Sequence, residues 1–164
     1  MSVSIKSQRE IELMRESGHI LAWVHDELGK ALKPGMSTLD VDILAERLIR
    51  EKDCTPNFLH YNGFPGSVCV SINEEVVHGI PKKSRIIKEG DIVSLDCGLI
   101  YKGYHSDAAR TYAVGEIDPK VQKLMDVTKQ AFFEGIKMAK AGNHLNDICG
   151  AIQDYAESFG YGVV

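Results

Sequence analysis

The chain has 164 residues, 44% hydrophobic and 26% charged, which excludes a disordered or fibrous protein and fits one domain with a real core. A net charge of −4 argues against nucleic-acid binding by bulk charge. No apolar stretch approaches the roughly 20 residues of a membrane span. The N-terminal Met1–Lys6 has no apolar core of the kind a secretory signal carries.

The first predicted element is a helix over 7–32. Ser7-Gln8-Arg9-Glu10 reads as a capping box, and Ile11, Met14, Gly18, Leu21, His25, Leu28 and Leu32 recur at helical spacing. Pro34-Gly35 stops it. A second helix is expected from Ser37-Thr38, with Val41, Leu44, Ala45, Leu48 and Ile49 on one face. Residues 54–114 change character. Prolines and glycines punctuate β-rich runs at 68–72, 92–97 and 109–114. The basic residues Lys82, Lys83, Arg85 and Lys88 read as a solvated loop. Asp118-Pro119 opens a third helix over about 119–140, ended by Gly142, and a fourth runs over about 145–159 before Gly160.

A shift of 107 positions lays Lys33-Pro34-Gly35 on Lys140-Ala141-Gly142 and Asp40 on Asp147. The apolar positions Val41, Leu44, Ala45, Leu48 and Ile49 then fall on Ile148, Ala151, Ile152, Tyr155 and Ala156. This pattern is that of a pseudo-repeat, residues 1–115 and 116–164, in one domain over 1–164 whose second copy lacks its strands.

The four cysteines, Cys54, Cys69, Cys97 and Cys149, form no C-x-x-C pair, so neither a zinc ribbon nor a thioredoxin-type site is indicated. Reduced thiols and a cytoplasmic location are the expectation. The segment Ser94–Asp107 reads as a hairpin turning near Lys102-Gly103. Opposed residues in an antiparallel pair have a constant sum of numbers. With a sum of 203 Asp96 faces Asp107; with 205 the two are diagonal neighbours. Either register puts both carboxylates on one face. Two bare carboxylates roughly 5 Å apart repel by roughly 3 kcal/mol at an effective dielectric of 20, so a shared proton or a divalent cation is needed between them. The plainer possibility is an ion pair of one Asp with Arg110 or Lys102. His78, before Gly79-Ile80-Pro81, lies at a strand end near a site mouth or serves as a structural histidine. Phe58, His60, Tyr61 and Phe64 surround a Gly/Pro loop and either cover a core or line an apolar pocket.

Four segments, Tyr61-Asn62-Gly63-Phe64-Pro65, Ser71 through Pro81, Gly90 through Asp96 and His105 through Thr111, together resemble the signature segments of type I methionine aminopeptidase, bacterial style. The likeness extends over the whole chain. It implies an α+β "pita-bread" fold of the creatinase/aminopeptidase kind: a curved antiparallel sheet with helices on its outer face. It implies removal of initiator methionine from nascent chains, with one or two divalent metals (Co, Mn, Fe, Zn or Mg, two per complete site) held by five side chains. By resemblance Asp96 and Asp107 are two of these ligands, Asp107 bridging. His78 matches the catalytic histidine that contacts the scissile amide, and Phe58, Tyr61, Phe64 and Cys69 match the pocket for the methionine side chain. The remaining ligands, one His and two Glu, have no match in 1–164, and His144 does not fit. The expectation is therefore a truncated form of low or no activity. Its partners would be N-terminal Met peptides of nascent chains and the ribosome, and it would self-associate through an exposed sheet edge. The alternatives are a non-catalytic peptide- or protein-binding module on the same fold and, by fold analogy, a proline dipeptidase.

Overall fold

A computed structural model describes residues 4–164. Met1–Val3, on which part of the N-terminal reading rests, lie outside the described residues. The chain divides into two compact units, one ending at Glu116 and one spanning Ile117–Val164.

The first unit begins with α1 (Gln8–Ala31) and α2 (Thr38–Glu51). Both open on a capping box. The Glu10 carboxylate accepts from the Ser7 N–H and that of Asp40 from the Ser37 N–H, satisfying donors the first helical turn leaves orphaned. Four strands follow: β1 (Thr55–Pro56), β2 (Val68–Ile72), β3 (Ile92–Tyr101) and β4 (Tyr104–Ala113). All pairings are antiparallel. One edge of β3 takes β1 and β2, and the other takes β4 along its full length. The hairpin strands are longer than the β-rich runs suggested. Lys102 and Gly103, with φ of 48° and 84°, form the tight two-residue turn whose twist matches paired strands, so the ladder continues up to the turn.

Period-two alternation sorts the sheet into two faces. Val68, Val70, Ile72, Val93, Leu95, Cys97 and Leu99 point to one side, where they join Leu21, Val24, Leu28, Val41, Ala45, Leu48 and Ile49 of the helices in one core. The other face carries Cys69, Asp96 and Asp107. The helical periodicity of α1 holds only in part. Ile11 and Met14, expected to face the core, are exposed, and Gly18 is exposed too; Ser17 is buried in their place. The N-terminal half of α1 meets β4 through hydroxyls rather than apolar side chains.

The second unit contains α3 (Pro119–Lys137) and α4 (Leu145–Ser158). Asp118 caps α3 by accepting from the Lys120 N–H. α3 ends at Lys137, earlier than Gly142 suggested, because the Asn143 side chain donates to the Met138 carbonyl and closes the last turn. Several features of the α2 region recur in the α4 region at an offset of 107. α2 and α4 each have 14 residues. Gly35 and Gly142 share φ near 90°, at 91° and 94°. The bond Cys54 N–H to Ile49 carbonyl has its counterpart in Tyr161 to Ala156, and Asp53 to Arg50 in Gly160 to Glu157. No helix of the described residues is long and apolar enough to cross a membrane.

Candidate functional site

The hairpin register decides how the two aspartates meet. Asp96 is paired with Ala109 and Asp107 with Gly98, a constant sum of 205, so the carboxylates are diagonal neighbours on one face. The register makes them cross-strand neighbours close enough for the Asp107 charge to act on Asp96. Gly98 makes room. A Cβ there would come within 3.0 Å of Asn57 Nδ2 and 3.1 Å of the Ser106 carbonyl oxygen. Neither Asn57 nor Gly98 stood out in the sequence, since their roles depend on β1 lying beside β3.

Burial raises the Asp96 carboxyl above its ordinary range. The Asp107 charge adds to this, and His78 opposes it. No ion pair to Asp96 or Asp107 exists among the described residues. Arg110 binds Asp26 at 2.6 Å instead, because β4 alternation turns it to the helix side of the sheet. Lys102 lies over the Tyr101 ring. The plain ion-pair reading of the hairpin is thus set aside. Two carboxylates on neighbouring strands, with no cation of the protein paired to either among the described residues, suit a shared proton or a divalent cation. Among the described residues no group of three or more His, Cys, Asp or Glu converges on one point.

Cys69 is the β2 residue directly opposite Asp96. It is buried outside the helix-facing core, and its thiol is pushed up to about 11 by burial and by Asp96 and Asp107. This is a neutral thiol against a carboxylate pair, not a nucleophile. His78 is exposed, with φ of 59°. The residue after it explains its place. Gly79 accepts from the Val70 N–H at 2.9 Å and donates to Ser71 Oγ at 3.1 Å, so the segment lies along β2. A Cβ on Gly79 would sit 2.1 Å from the Val70 carbonyl oxygen, which no side chain tolerates. His78 is thereby held near enough to Asp96 to act on its carboxyl.

Phe58 and Phe64 pack edge to face, with centroids 6.5 Å apart, so the two do not serve separate cores. Tyr61 stands on the 3₁₀ turn Tyr61–Gly63 between them and is 68% exposed. The loop is tied down by a residue the sequence did not reveal. Asp42, buried on α2, accepts from the Ser67 and Val68 N–H groups at 2.6 and 3.1 Å. Burial raises its carboxyl above the ordinary range, and those two hydrogen bonds oppose the shift. A polar residue on an otherwise apolar helix stripe was the available signal.

The profile of metallopeptidase family M24 matches residues 12–164. The chain belongs to this family. It is 54% identical to a methionine aminopeptidase of Clostridium acetobutylicum, over 99% of this chain and 65% of that protein. It is 49% identical to methionine aminopeptidase 1 of Bacillus subtilis, over 97% of this chain and 64% of that one. The crystal structure of methionine aminopeptidase from Rickettsia prowazekii superposes with a TM-score of 0.96 at 37% identity, covering 99% of this chain and 65% of that chain. This M24 chain therefore has the pita-bread architecture of its relatives and spans about 65% of their length. Membership in a metallopeptidase family accords with divalent-metal chemistry at the carboxylate pair.

Proposed function

We propose that this M24 chain carries the substrate-side half of a methionine aminopeptidase site, which removes the initiator methionine of nascent proteins. The observation that supports this best is the Asp96–Asp107 pair, diagonal neighbours on one sheet face without a protein cation among the described residues. In this reading Asp96 and Asp107 would be two of the residues that hold the metal. Cobalt, manganese, iron, zinc and magnesium are all compatible with carboxylate oxygens. When bound, such an ion activates water near neutral pH and polarises the substrate carbonyl. The chain's own residues do the rest. Phe58, Phe64, Tyr61 and Cys69 take the methionine side chain, whose thioether suits aromatic edges. His78, at the rim, donates a hydrogen bond to the scissile amide and steadies the charge that develops there.

Residues 1–115 and 116–164 are two copies of one unit in this reading, on the strength of the 107-residue offset. Further ligands, one His and two Glu, lie outside the matching segments of 1–164. A catalytic ion takes about three protein ligands, so the 164-residue chain by itself is a slow catalyst. The protein works in the cytoplasm and acts at the ribosome on emerging chains. By itself the chain self-associates through β4, which pairs only with β3 among the described strands. A non-catalytic peptide-binding role is the second reading, favoured by the small number of convergent ligands among the described residues.

The test is methionine release from a Met-Ala-Ser peptide with added Mn²⁺ or Co²⁺. The expected result is metal-dependent release well below the usual range of about 1–10³ s⁻¹, lost in Asp107→Asn. Release that survives chelation or Asp107→Asn contradicts the proposal. Metal-independent peptide binding without release supports the second reading.

A further inference from the structure

β4 carries Asp107 on one face and rests its other face on α1. The residues on either side of Asp107 are both bonded to that helix. Ser106 Oγ donates to the Ser17 carbonyl at 3.1 Å, and Ser17 Oγ lies 2.9 Å from Ser106 Oγ and 3.2 Å from the Tyr104 carbonyl oxygen. His25 Nε2 lies 2.9 Å from the Ala108 carbonyl oxygen. A carbonyl only accepts, so Nε2 carries the proton. His25 is fully buried, and burial pushes its pKa down, so the ring is neutral. Nδ1 is then a bare acceptor, and it has no partner among the described residues.

An unsatisfied buried acceptor costs about 1–3 kcal/mol, and an apolar side chain would fill this core position without that cost. What the histidine provides instead is one directed bond to the backbone next to Asp107. One turn on, Tyr112 Oη donates to the His25 carbonyl at 2.7 Å. Gly29 leaves the space for that ring, since a Cβ there would sit 2.3 Å from it.

We infer that Ser17 and His25 are positioning residues for Asp107, fixing the β4 backbone on both sides of it so that its carboxylate stays against that of Asp96. Like charges on neighbouring positions of paired strands repel, and β4 pairs only with β3 among the described strands, so the repulsion would push the strand away. The bonds to α1 resist this from behind. A carboxylate pair held together in advance saves a cation the cost of gathering it. The inference rests on the proposed metal-binding role of the pair.

The experiment is Mn²⁺ binding to the full chain, read from the free-ion electron paramagnetic resonance signal, with the melting temperature of every variant measured beside it. His25→Leu is expected to weaken Mn²⁺ binding roughly tenfold, the lower end for loss of a supporting hydrogen bond. His25→Gln keeps a donor at the same reach and is expected to stay within about twofold of the parent. Ser17→Ala, the milder variant should His25→Leu fail to fold, is expected to weaken binding roughly threefold. Val24→Ala, a fully buried neighbour, controls for stability and is expected to lower the melting temperature while leaving binding unchanged. Binding by His25→Leu and Ser17→Ala equal to the parent overturns the inference, and so does an equal weakening in Val24→Ala. Asp96→Asn separates the two layers. If it leaves Mn²⁺ binding intact, the metal-binding reading itself has failed.

Discussion

The two helix pairs share a plan and differ in what covers them. In α1–α2 the apolar stripe is sealed: Val41, Ala45 and Ile49 are 1% exposed or less beneath the inner face of the sheet. At the same offsets in α4 stand Ile148, Ile152 and Ala156, of which only Ala156 is buried. Phe132, Phe133 and Ile136 of α3 are about half exposed. The turn geometry at the ends of α2 and α4 is therefore a local product of sequence, alike in both pairs. Burial is not, because it depends on strands that the first unit has and residues 117–164 do not form. The chemistry follows the same division: every candidate site residue lies on the strands and loops of the first unit.

The largest expected difference tests this directly. Ile49→Ala, at a fully buried position, should cost about 3 kcal/mol in chemical denaturation through lost transfer energy and a cavity. Ile136→Ala, half exposed, should cost less than about 0.5 kcal/mol, read from amide exchange within residues 117–164. Equal costs would mean that the second stripe is as sealed as the first.

The carboxylate pair gives the next effect. The folded state raises the Asp96 pKa, so protonation favours folding, and that contribution is present below the unfolded value of 3.8 and lost as pH rises through the folded value. Asp96→Asn should therefore stabilise the metal-free chain at pH 7 by about 1 kcal/mol, after screening of the roughly 3 kcal/mol repulsion. The gain should vanish below pH 3.8, where Asp96 is protonated in both states. A constant gain across pH would assign it to packing. Saturating Mn²⁺ should reverse its sign at pH 7.

Caps sharpen the likeness between the pairs. Asp40→Ala and Asp147→Ala each remove a carboxylate that accepts from a helix-opening N–H, at 2.8 and 2.7 Å. Each should cost about 1 kcal/mol, read as faster amide exchange in the helix concerned. Clearly unequal costs would show that the shared geometry hides different environments. The smallest effect lies at the other end of these helices. Asp53 has φ of 54° where the second pair places Gly160 at 81°. Asp53→Gly should stabilise by a few tenths of a kcal/mol, because glycine bears the left-handed conformation without a Cβ clash.

Much of this was legible in the sequence, and the limits are physical. The capping box at Ser7, the hairpin and the shared face of Asp96 and Asp107 follow from local rules, since a side-chain period of two leaves only the sum of 203 or 205 to decide. The sum of 205 needed the Lys102-Gly103 backbone to settle. Three features depended on long-range placement and could not be read. Ile11 and Met14 sit on the apolar stripe of α1 but extend past the core. Asp42 and His25 look like polar interruptions of helices until the Ser67–Val68 and Ala108 backbones are brought beside them. The run of the His78-Gly79 segment along β2 rests on Gly79 meeting Val70, a contact between segments rather than a motif.

The most direct test of the account is to add Mn²⁺ to the ¹⁵N-labelled chain and map paramagnetic line broadening residue by residue. The account predicts broadening centred on Cys69, His78, Asp96 and Asp107, and its loss in Asp107→Asn. Broadening centred elsewhere, for example at the exposed carboxylates of α3 and α4, or unchanged by Asp107→Asn, would contradict it.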